Sequence, residues 1–272
     1  MLDIGVITRL NPAGGSLAAV RELGLDTCQL CSWEPELATR ENAAMIVAEA
    51  KSTGVRVCAL WGGYTGPRVW NLTEGPATLG LVPPEHRAYR VKELQQWVDF
   101  AAWIGAPAVI THCGFIPENP NDPEFPGVVE AVRQVAAYGV ERNVEFWFET
   151  GQETPVTLLR TIERVGTGNL GINLDPANLI LYGKGNPIDA LDVFGRYVRN
   201  VHVKDGFYPT DGDHLGKEAQ TGKGKVDFPL FLKRLREIGF GGELIIEREI
   251  HGDQQRRDIQ ATVANLRTWL AQ

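Results

Sequence analysis

Four side chains that could bind a metal ion lie at the ends of four apolar segments in the second half of the chain. They are Glu149 in VEFWFET, Asp175 in LGINLDPAN, His202 in VRNVHVKD and Glu247 in ELIIEREI. Carboxylate oxygens with an imidazole nitrogen suit Mn²⁺, Mg²⁺, Co²⁺ or Zn²⁺. A buried carboxylate or imidazole is costly unless a partner compensates it. We therefore predict one divalent-cation site, and the alternative is that each group pairs with a buried Arg or Lys.

The elements that would position these groups alternate along the chain between strand-like and helix-like segments. The eight predicted strands cover residues 2–8, 26–32, 55–61, 108–113, 144–150, 169–175, 198–204 and 243–249. Helical spacing covers 36–53, 84–104, 126–142, 154–165, 227–238 and 253–271. Eight such units predict a single-domain (β/α)₈ TIM barrel over residues 1–272, in which the C-terminal strand ends meet at one mouth. Gly14-Gly15 after the first strand lacks the GxGxxG spacing of a dinucleotide-binding open sheet.

Composition limits the possible partners. The 272-residue chain is 43% hydrophobic and has a formal net charge of −7, which argues against nucleic acid. No apolar run is long enough to span a membrane, and the N-terminus does not resemble a signal peptide, so we expect a cytoplasmic protein. All four cysteines are expected to be reduced. Cys28 and Cys31 form a CxxC, but positions i and i+3 of a strand point to opposite faces.

Three long connections follow strand ends and are expected at the mouth of the barrel. They comprise residues 62–83, 114–126 and 205–226. Long ordered loops on this face commonly build or cover an active site, and we expect the first and third to contact a substrate. Phe115, Ile116 and Phe125 in the proline-rich second loop would suit a subunit interface if they were exposed.

Further polar and aromatic residues stand at predicted strand ends. His112 ends the fourth strand and is expected to contact substrate or to support a metal ligand. Lys204 could hold a substrate oxygen, and the alternative is an ion pair with Asp205 or a nearby glutamate. Trp33 and Trp61 offer aromatic faces on which a sugar could stack, although such rings also simply fill loops.

Two of the predicted ligands have a glutamate neighbour on the same strand face. Glu145 and Glu149 point to the same face of their strand, and Glu145 is expected near the bottom of the barrel. Glu249 shares its parity with Glu247, which we favour because it directly follows the apolar run that ends at Ile246.

The strand ends FET-G, NLDPAN, VHVKD and IERE resemble the sugar phosphate isomerase/epimerase family, the xylose isomerase-like barrels, and the resemblance covers nearly the whole chain. It implies one divalent ion, with Mn²⁺ as the expected metal, bound by Glu149, Asp175, His202 and Glu247. It also implies that the two glutamates transfer protons, that the substrate is a small sugar or sugar derivative, and that the chain forms a dimer or tetramer.

The chain departs from the ketose 3-epimerases of this family at two positions. Asn178 stands where those enzymes have a histidine, and Tyr208 stands where they have an arginine; both family groups hold substrate oxygens. We therefore expect Asn178 to contact substrate, and the resemblance favours a metal-dependent sugar enzyme without selecting the ketose 3-epimerases.

The predicted function is a divalent-metal-dependent sugar isomerase or epimerase that removes a proton alpha to a carbonyl and passes through an enediolate. The alternative is a metal-dependent lyase or dehydratase that acts on a keto-sugar or 3-keto-glycoside by β-elimination. An endonuclease IV-like phosphodiesterase is disfavoured by the small number of histidines and the acidic charge. A non-catalytic sugar-binding subunit is disfavoured by the intact set of four ligands.

Overall fold

The computed structural model describes residues 2–271, and its eight long strands form a closed barrel. These strands are β1 (Ile4–Arg9), β2 (Thr27–Ser32), β3 (Arg56–Gly62), β4 (Ala108–Thr111), β5 (Glu145–Glu149), β6 (Leu170–Leu174), β7 (Val198–Val203) and β10 (Glu243–Ile246). Neighbouring barrel strands are parallel, and β1 closes the barrel by pairing with β10. The predicted TIM barrel fold is confirmed, with all eight strands in the predicted places.

The helices lie on the outside of the barrel and in its connections. They are α1 (Ser16–Glu22), α2 (Arg40–Thr53), α3 (Gly75–Thr78), α4 (Pro84–Ile104), α5 (Phe125–Val140), α6 (Pro155–Val165), α7 (Pro176–Leu181), α8 (Pro187–Phe194), α9 (Phe228–Glu237) and α10 (Asp253–Leu270). The six predicted helical segments correspond to α2, α4, α5, α6, α9 and α10. The region between β6 and β7 holds α7 and α8, for which the sequence analysis assigned no helix.

Two apolar layers hold this architecture together. The larger core lies between the outer faces of the strands and the helices, and a smaller one fills the barrel with residues such as Trp61, Ile110, Trp147 and Ile245. Alternation along each strand separates the two sets. The four cysteines are free, as expected. Among residues 2–271, no helix combines the length and the apolar character needed to cross a bilayer.

The third long loop is fixed by one buried carboxylate. It contains a two-stranded antiparallel ribbon of β8 (Asp205–Gly206) and β9 (Glu218–Ala219). Asp205 accepts hydrogen bonds from four backbone N–H groups of this loop, those of Gly206, Gly222, Gly224 and Val226, at 2.8–3.0 Å. The loop is therefore an ordered part of the barrel mouth, and its backbone touches the first loop where the N–H of Leu72 donates to the carbonyl of Asp213 at 3.1 Å.

The prediction of an exposed apolar surface on the second loop was wrong for two of its three residues. Ile116 and Phe125 are 2% and 5% exposed and belong to the main core. Phe125 begins α5 and packs inward with it. Phe115 is half-buried, with its ring edge-on to Tyr182. Ile116 and Phe125 therefore belong to the core of the chain and are not available for a subunit interface.

Candidate metal centre

The barrel brings the four predicted metal ligands together at the C-terminal ends of adjacent strands. Glu149 is the last residue of β5, Asp175 directly follows β6, His202 lies in β7 and Glu247 directly follows β10. One ligand atom from each residue lies within 4.8 Å of the ligand atoms of the other three. The first three side chains are buried and the fourth is mostly buried, with 17% of its surface exposed.

The three carboxylates converge on the same nitrogen of the imidazole. Nδ1 of His202 lies 3.1 Å from Glu149 Oε1, 3.1 Å from Glu247 Oε2 and 3.6 Å from Asp175 Oδ2. Within the described part of the chain, Nδ1 and the converging oxygens of Asp175 and Glu247 make no hydrogen bond. A divalent cation at the centre would satisfy these buried atoms together, so the donor set fits a hard or borderline metal ion.

Local structure directs the carboxylate of Asp175 into the cluster. Asp175 is the N-cap of α7, where its Oδ1 accepts from the N–H of Asn178 at 2.9 Å and its Oδ2 faces the cluster. Thr150 fixes the same segment, because its hydroxyl donates to the carbonyl of Asp175 at 2.9 Å and accepts from its N–H at 2.8 Å. The ligand is therefore held by the strand end and by the start of the next helix.

The Nε2 edge of the His202 ring contacts an uncharged polar layer inside the barrel. Gln29 Oε1 and Asn173 Nδ2 each lie 3.0 Å from Nε2 of His202, and Asn200 Nδ2 donates to both amide oxygens. All four side chains are fully buried. The sequence analysis missed this layer, although a glutamine or asparagine inside an apolar strand run is a signal that it could have used.

Buried charge sets the protonation of the metal-free cluster. Burial acts to lower the pKa of His202, but the carboxylates of Glu247 and Glu149 outweigh it and raise the pKa well above its ordinary value. Burial acts in the opposite direction on Glu149, Asp175 and Glu247, yet their cationic neighbours hold the pKa of each carboxyl below its ordinary value. In the absence of metal, the cluster therefore contains carboxylates around a protonated ring.

Lys204 is a fully buried cation at the edge of the cluster. Its Nζ lies 3.1 Å from Glu249, 3.3 Å from Glu247 and 3.7 Å from Asp175. These carboxylates overcome burial and raise the pKa of Lys204 well above its ordinary value. The sequence analysis left open an ion pair with Asp205 or a nearby glutamate; the partners are Glu247 and Glu249, whereas Asp205 holds the loop.

The two glutamates that share faces with the predicted ligands lie outside the cluster, as expected. Glu145 lies at the start of β5, is partly exposed, and accepts a hydrogen bond from Trp147 at 2.6 Å. Glu249 is mostly exposed and reaches only Lys204.

The predicted contacts His112, Trp61 and Asn178 all surround Glu149. Trp61 Nε1 donates to Glu149 Oε2, and Nε2 of His112 lies 3.4 Å from the same oxygen. Asn178 donates to Glu149 Oε1 at 3.4 Å and accepts from Lys204 at 3.3 Å. Both oxygens of Glu149 are therefore oriented by neighbours, and all of these residues line the cavity above the cluster.

That cavity has a volume of about 920 Å³ and opens to solvent at the barrel mouth. Trp33 forms part of its wall, as predicted, together with Trp70 and Arg68 from the first loop. Leu215 from the third loop also lines it, so the two loops that are expected to contact substrate both lie at this cavity. Tyr208 is 42% exposed and is not among the lining residues.

Chemically, this is a candidate cation site on the floor of a cavity with carboxylates, a lysine and an imidazole beside it. A cation here would be coordinated on one side by protein and open to the cavity on the other. Such a centre can polarise a carbonyl and hold adjacent oxygens while a nearby carboxylate removes a proton.

Comparison with known proteins identifies relatives along the whole barrel. The model of the family described as xylose isomerase-like TIM barrel matches residues 17–270. The structure of a xylose isomerase domain protein from Planctomyces limnophilus is 38% identical, with a TM-score of 0.92 over 98% of this chain and 97% of that chain.

Two further matches are more distant in sequence, and the first of them is a solved structure that shares the fold. A 3-keto-D-glucoside 4-epimerase from E. coli is 18% identical, with a TM-score of 0.74 over 98% of this chain and 100% of that chain. An uncharacterized protein from Methanocaldococcus jannaschii is 28% identical over 179 residues. That alignment covers 60% of this chain and spans 58% of the length of the curated relative.

Proposed function

The chain belongs to the xylose isomerase-like TIM barrel family, and we propose that it is a divalent-metal-dependent sugar isomerase or epimerase. The observation that carries the proposal is the convergence of Glu149, Asp175 and Glu247 on Nδ1 of His202 at the floor of an open cavity. These four residues would hold one ion, and Mn²⁺ is the expected metal, with Mg²⁺, Co²⁺ and Zn²⁺ as alternatives. Bound there, the ion would supply a Lewis acid that acidifies the C–H bond next to a substrate carbonyl.

The two glutamates differ in what surrounds them, and this difference suggests their roles. One oxygen of Glu247 faces His202 and Lys204, while the side chain keeps contact with the cavity. We assign to Glu247 the removal of the proton alpha to the carbonyl. Glu149, which contacts Trp61 and His112, would take up a proton from solvent and deliver it to the opposite face of the same carbon, and Glu247 would release the proton that it removed to solvent.

The remaining groups would position the sugar. Lys204 and Asn178 lie beside the carboxylates and can contact substrate oxygens, and Trp33 and Trp61 offer aromatic surface to the C–H face of a ring. Proton return to the same carbon gives an epimer, whereas return to the neighbouring carbon gives an aldose–ketose isomer. The 3-keto-D-glucoside 4-epimerase with the same fold agrees with the sugar assignment.

A second candidate is a metal-dependent lyase or dehydratase that acts on a keto-sugar or 3-keto-glycoside by β-elimination. Two observations favour it over a ketose 3-epimerase. Asn178 replaces a histidine beside the ion site, and Tyr208 lies outside the cavity lining. Loss of a group from the β-carbon after the same deprotonation would give an unsaturated product.

Metal content and proton exchange test the proposal. Purified protein should contain about one divalent ion per chain by mass spectrometry, and the Glu149→Gln/Asp175→Asn double variant should lose it. Glu145→Gln is the matched control, because Glu145 lies on the same strand below the cluster. Incubation of keto-sugars in D₂O should place deuterium at the carbon alpha to the carbonyl, and an unsaturated product would select the lyase.

Metal close to zero in the wild type after incubation with each ion would overturn the proposal.

We also propose a homodimer or tetramer and a cytoplasmic location, the latter supported by four free thiols, three of them buried. Sedimentation analysis measures the first directly.

A further inference from the structure

The cavity above the four-residue cluster extends beyond the ion site. Its volume of about 920 Å³ lies near the upper end of the range of about 300–1,000 Å³ in which drug-sized ligands bind. Part of this volume passes over the rim of the barrel, because Val6 and Ile246 from the outer strand faces and Ile259 from α10 also line it. The remainder rises from Glu149 along an aromatic wall.

The aromatic wall consists of four rings that contact one another in a closed circuit. Ring centroids are 4.4 Å apart for Trp33 and Trp61, 5.8 Å for Trp33 and Trp70, 5.3 Å for Trp70 and His112, and 6.1 Å for His112 and Trp61. Trp61 and His112 touch the carboxylate of Glu149 at the bottom. Trp70 forms the top and is 38% exposed. The wall therefore leads from the ion site to solvent.

The first loop holds this wall in place without a ligand. The guanidinium of Arg90, fully buried below the loop, donates to four loop carbonyls, those of Thr65, Pro67, Thr78 and Gly80, at 2.7–3.3 Å. The N–H of Gly80 donates to the hydroxyl of Tyr64 at 2.7 Å. The wall is therefore a preformed binding surface rather than a flexible lid, which lowers the entropic cost of binding.

The aromatic wall also carries one cationic side chain, that of Arg68. The guanidinium of Arg68 lies 4.6 Å from the ring centroid of Trp33 and donates to the carbonyl of Tyr64 at 3.0 Å. Arg68 is exposed and lines the cavity, and its guanidinium has no carboxylate partner among residues 2–271. Its remaining N–H groups can reach ligand oxygens beside the ring of Trp70.

We propose that the substrate is a keto-sugar whose own anomeric carbon is joined by a glycosidic bond to a second ring. This inference rests on the proposed function. The keto-sugar lies over the ion site, and the second ring lies against Trp70, with Arg68 donating to its oxygens. Trp33 and Trp70 lie one ring farther from Glu149 than Trp61 and His112 do, so they offer aromatic surface to a second ring. Aromatic faces bind the apolar face of a ring, and the guanidinium binds the hydroxyls at its edge.

The proposal narrows the reaction. A glycosidic bond keeps the anomeric carbon as an acetal, so the ring cannot open and the carbonyl lies at another ring carbon. Aldose–ketose interconversion through the anomeric carbon is then excluded. Epimerisation beside the ring carbonyl and elimination of a group on the β-carbon both remain compatible with the site.

Binding of unreactive sugars to the manganese-loaded protein tests the second-ring site. D-glucose, cellobiose and maltose serve as probes by isothermal titration, since none carries a keto group. At least one disaccharide is expected to bind about tenfold more tightly than glucose, which corresponds to roughly 1.4 kcal/mol. Trp70→Ala should remove most of this preference, and Trp70→Phe should keep part of it.

Tyr208→Ala is the control, since Tyr208 has similar exposure in the neighbouring loop and lies outside the cavity. Equal affinity for glucose and both disaccharides, no binding of any disaccharide, or a preference that survives in Trp70→Ala would overturn the proposal. Metal content and deuterium exchange, measured on the same preparations, distinguish failure of the proposed function from failure of the second-ring proposal. A preference for disaccharides in protein that binds no metal would contradict the proposed function but would still support the second-ring site.

Discussion

Oε1 of Gln29 lies 3.0 Å from Nε2 of His202, on the side of the imidazole that faces away from the three carboxylates. Asn200 donates to the same amide oxygen at 3.2 Å, so this oxygen is held as an acceptor. A proton on Nε2 can then donate to Gln29, which leaves the Nδ1 lone pair directed at the ion site. Gln29 thus offers Nε2 the acceptor that supports the tautomer needed for metal binding, and it opposes the amide nitrogen of Asn173, a donor at the same distance of 3.0 Å.

Replacing Gln29 should weaken metal binding although the residue is not a ligand. In Gln29→Leu, Nε2 loses its acceptor, and we expect the affinity for Mn²⁺ to fall by about 10–100-fold. Competition with a fluorescent chelator measures this. Gln134→Leu, at an exposed position on α5, should leave the affinity unchanged. An unaltered affinity in Gln29→Leu, in a protein that folds normally, would show that Gln29 is not needed to orient the ring.

Lys204 should matter most when the metal is absent. Its ammonium group lies within 4 Å of Asp175, Glu247 and Glu249, and it offsets their mutual repulsion. Removing one partner of a buried ion pair typically costs about 3–5 kcal/mol. We therefore expect Lys204→Met to lower the thermal midpoint strongly without metal and less with saturating Mn²⁺, because the ion supplies positive charge at the same carboxylates.

Thermal unfolding of Lys204→Met with and without Mn²⁺ checks this prediction. Lys233→Met is the matched control, because Lys233 is exposed on α9 and its ion pair with Glu237 is long, at 3.9 Å. The same loss in both conditions would mean that Lys204 contributes through packing rather than through charge.

Arg90 should determine the order of the first loop. It is fully buried, its guanidinium donates to carbonyls of that loop, and it lies 4.3 Å from the ring centroid of Tyr64. In Arg90→Met the carbonyls of Thr78 and Gly80 lose their donor, and each buried unpaired group costs about 1–3 kcal/mol. We expect a lower free energy of unfolding in urea and faster proteolysis within residues 62–83.

Arg164→Met, at an exposed position on α6, is the control for this change. If cleavage within residues 62–83 were no faster in Arg90→Met, the loop would be held by its other contacts, such as those of Thr65 with Glu93.

Much of the barrel and the metal cluster could be predicted because both follow from strand periodicity. A buried strand ends where its apolar run ends, and a charged residue at that point in four strands identifies a shared mouth. Glu247 and Glu249 could be separated for the same reason, since only the first adjoins the apolar run.

What escaped prediction depends on contacts between distant segments. The neighbours of Gln29 are Asn200 and His202, some 170 positions away, and no local pattern indicates that they meet. Arg90 is a second example, because a charged residue on a long helix is ordinarily expected to be exposed. Ile116 and Phe125 show the reverse error, since apolar residues in a proline-rich loop were taken as exposed and instead complete the core.

Glu153 should make the stability of the protein depend on pH. It lies after β5, is 2% exposed, and its Oε2 makes no hydrogen bond within the described residues. Burial raises the pKa of Glu153 from 4.5 to about 8. The folded protein therefore keeps this proton at neutral pH, whereas the unfolded chain releases it near its ordinary pKa.

A raised pKa in the folded state means that folding binds a proton between these two values. The stabilisation is complete below the unfolded pKa and is lost as the pH rises through the folded value, so stability should fall from about pH 5 to about pH 8 and then level off.

Glu153→Gln keeps the shape of the neutral acid and removes the titration. Relative to wild type, this variant should gain stability as the pH rises, by an amount on the order of a few kcal/mol at pH 9. Urea unfolding of both proteins at several pH values measures the difference, and Glu41→Gln, at an exposed position on α2, should show none. A difference between wild type and Glu153→Gln that stays constant with pH would show that Glu153 is ionised in the folded protein.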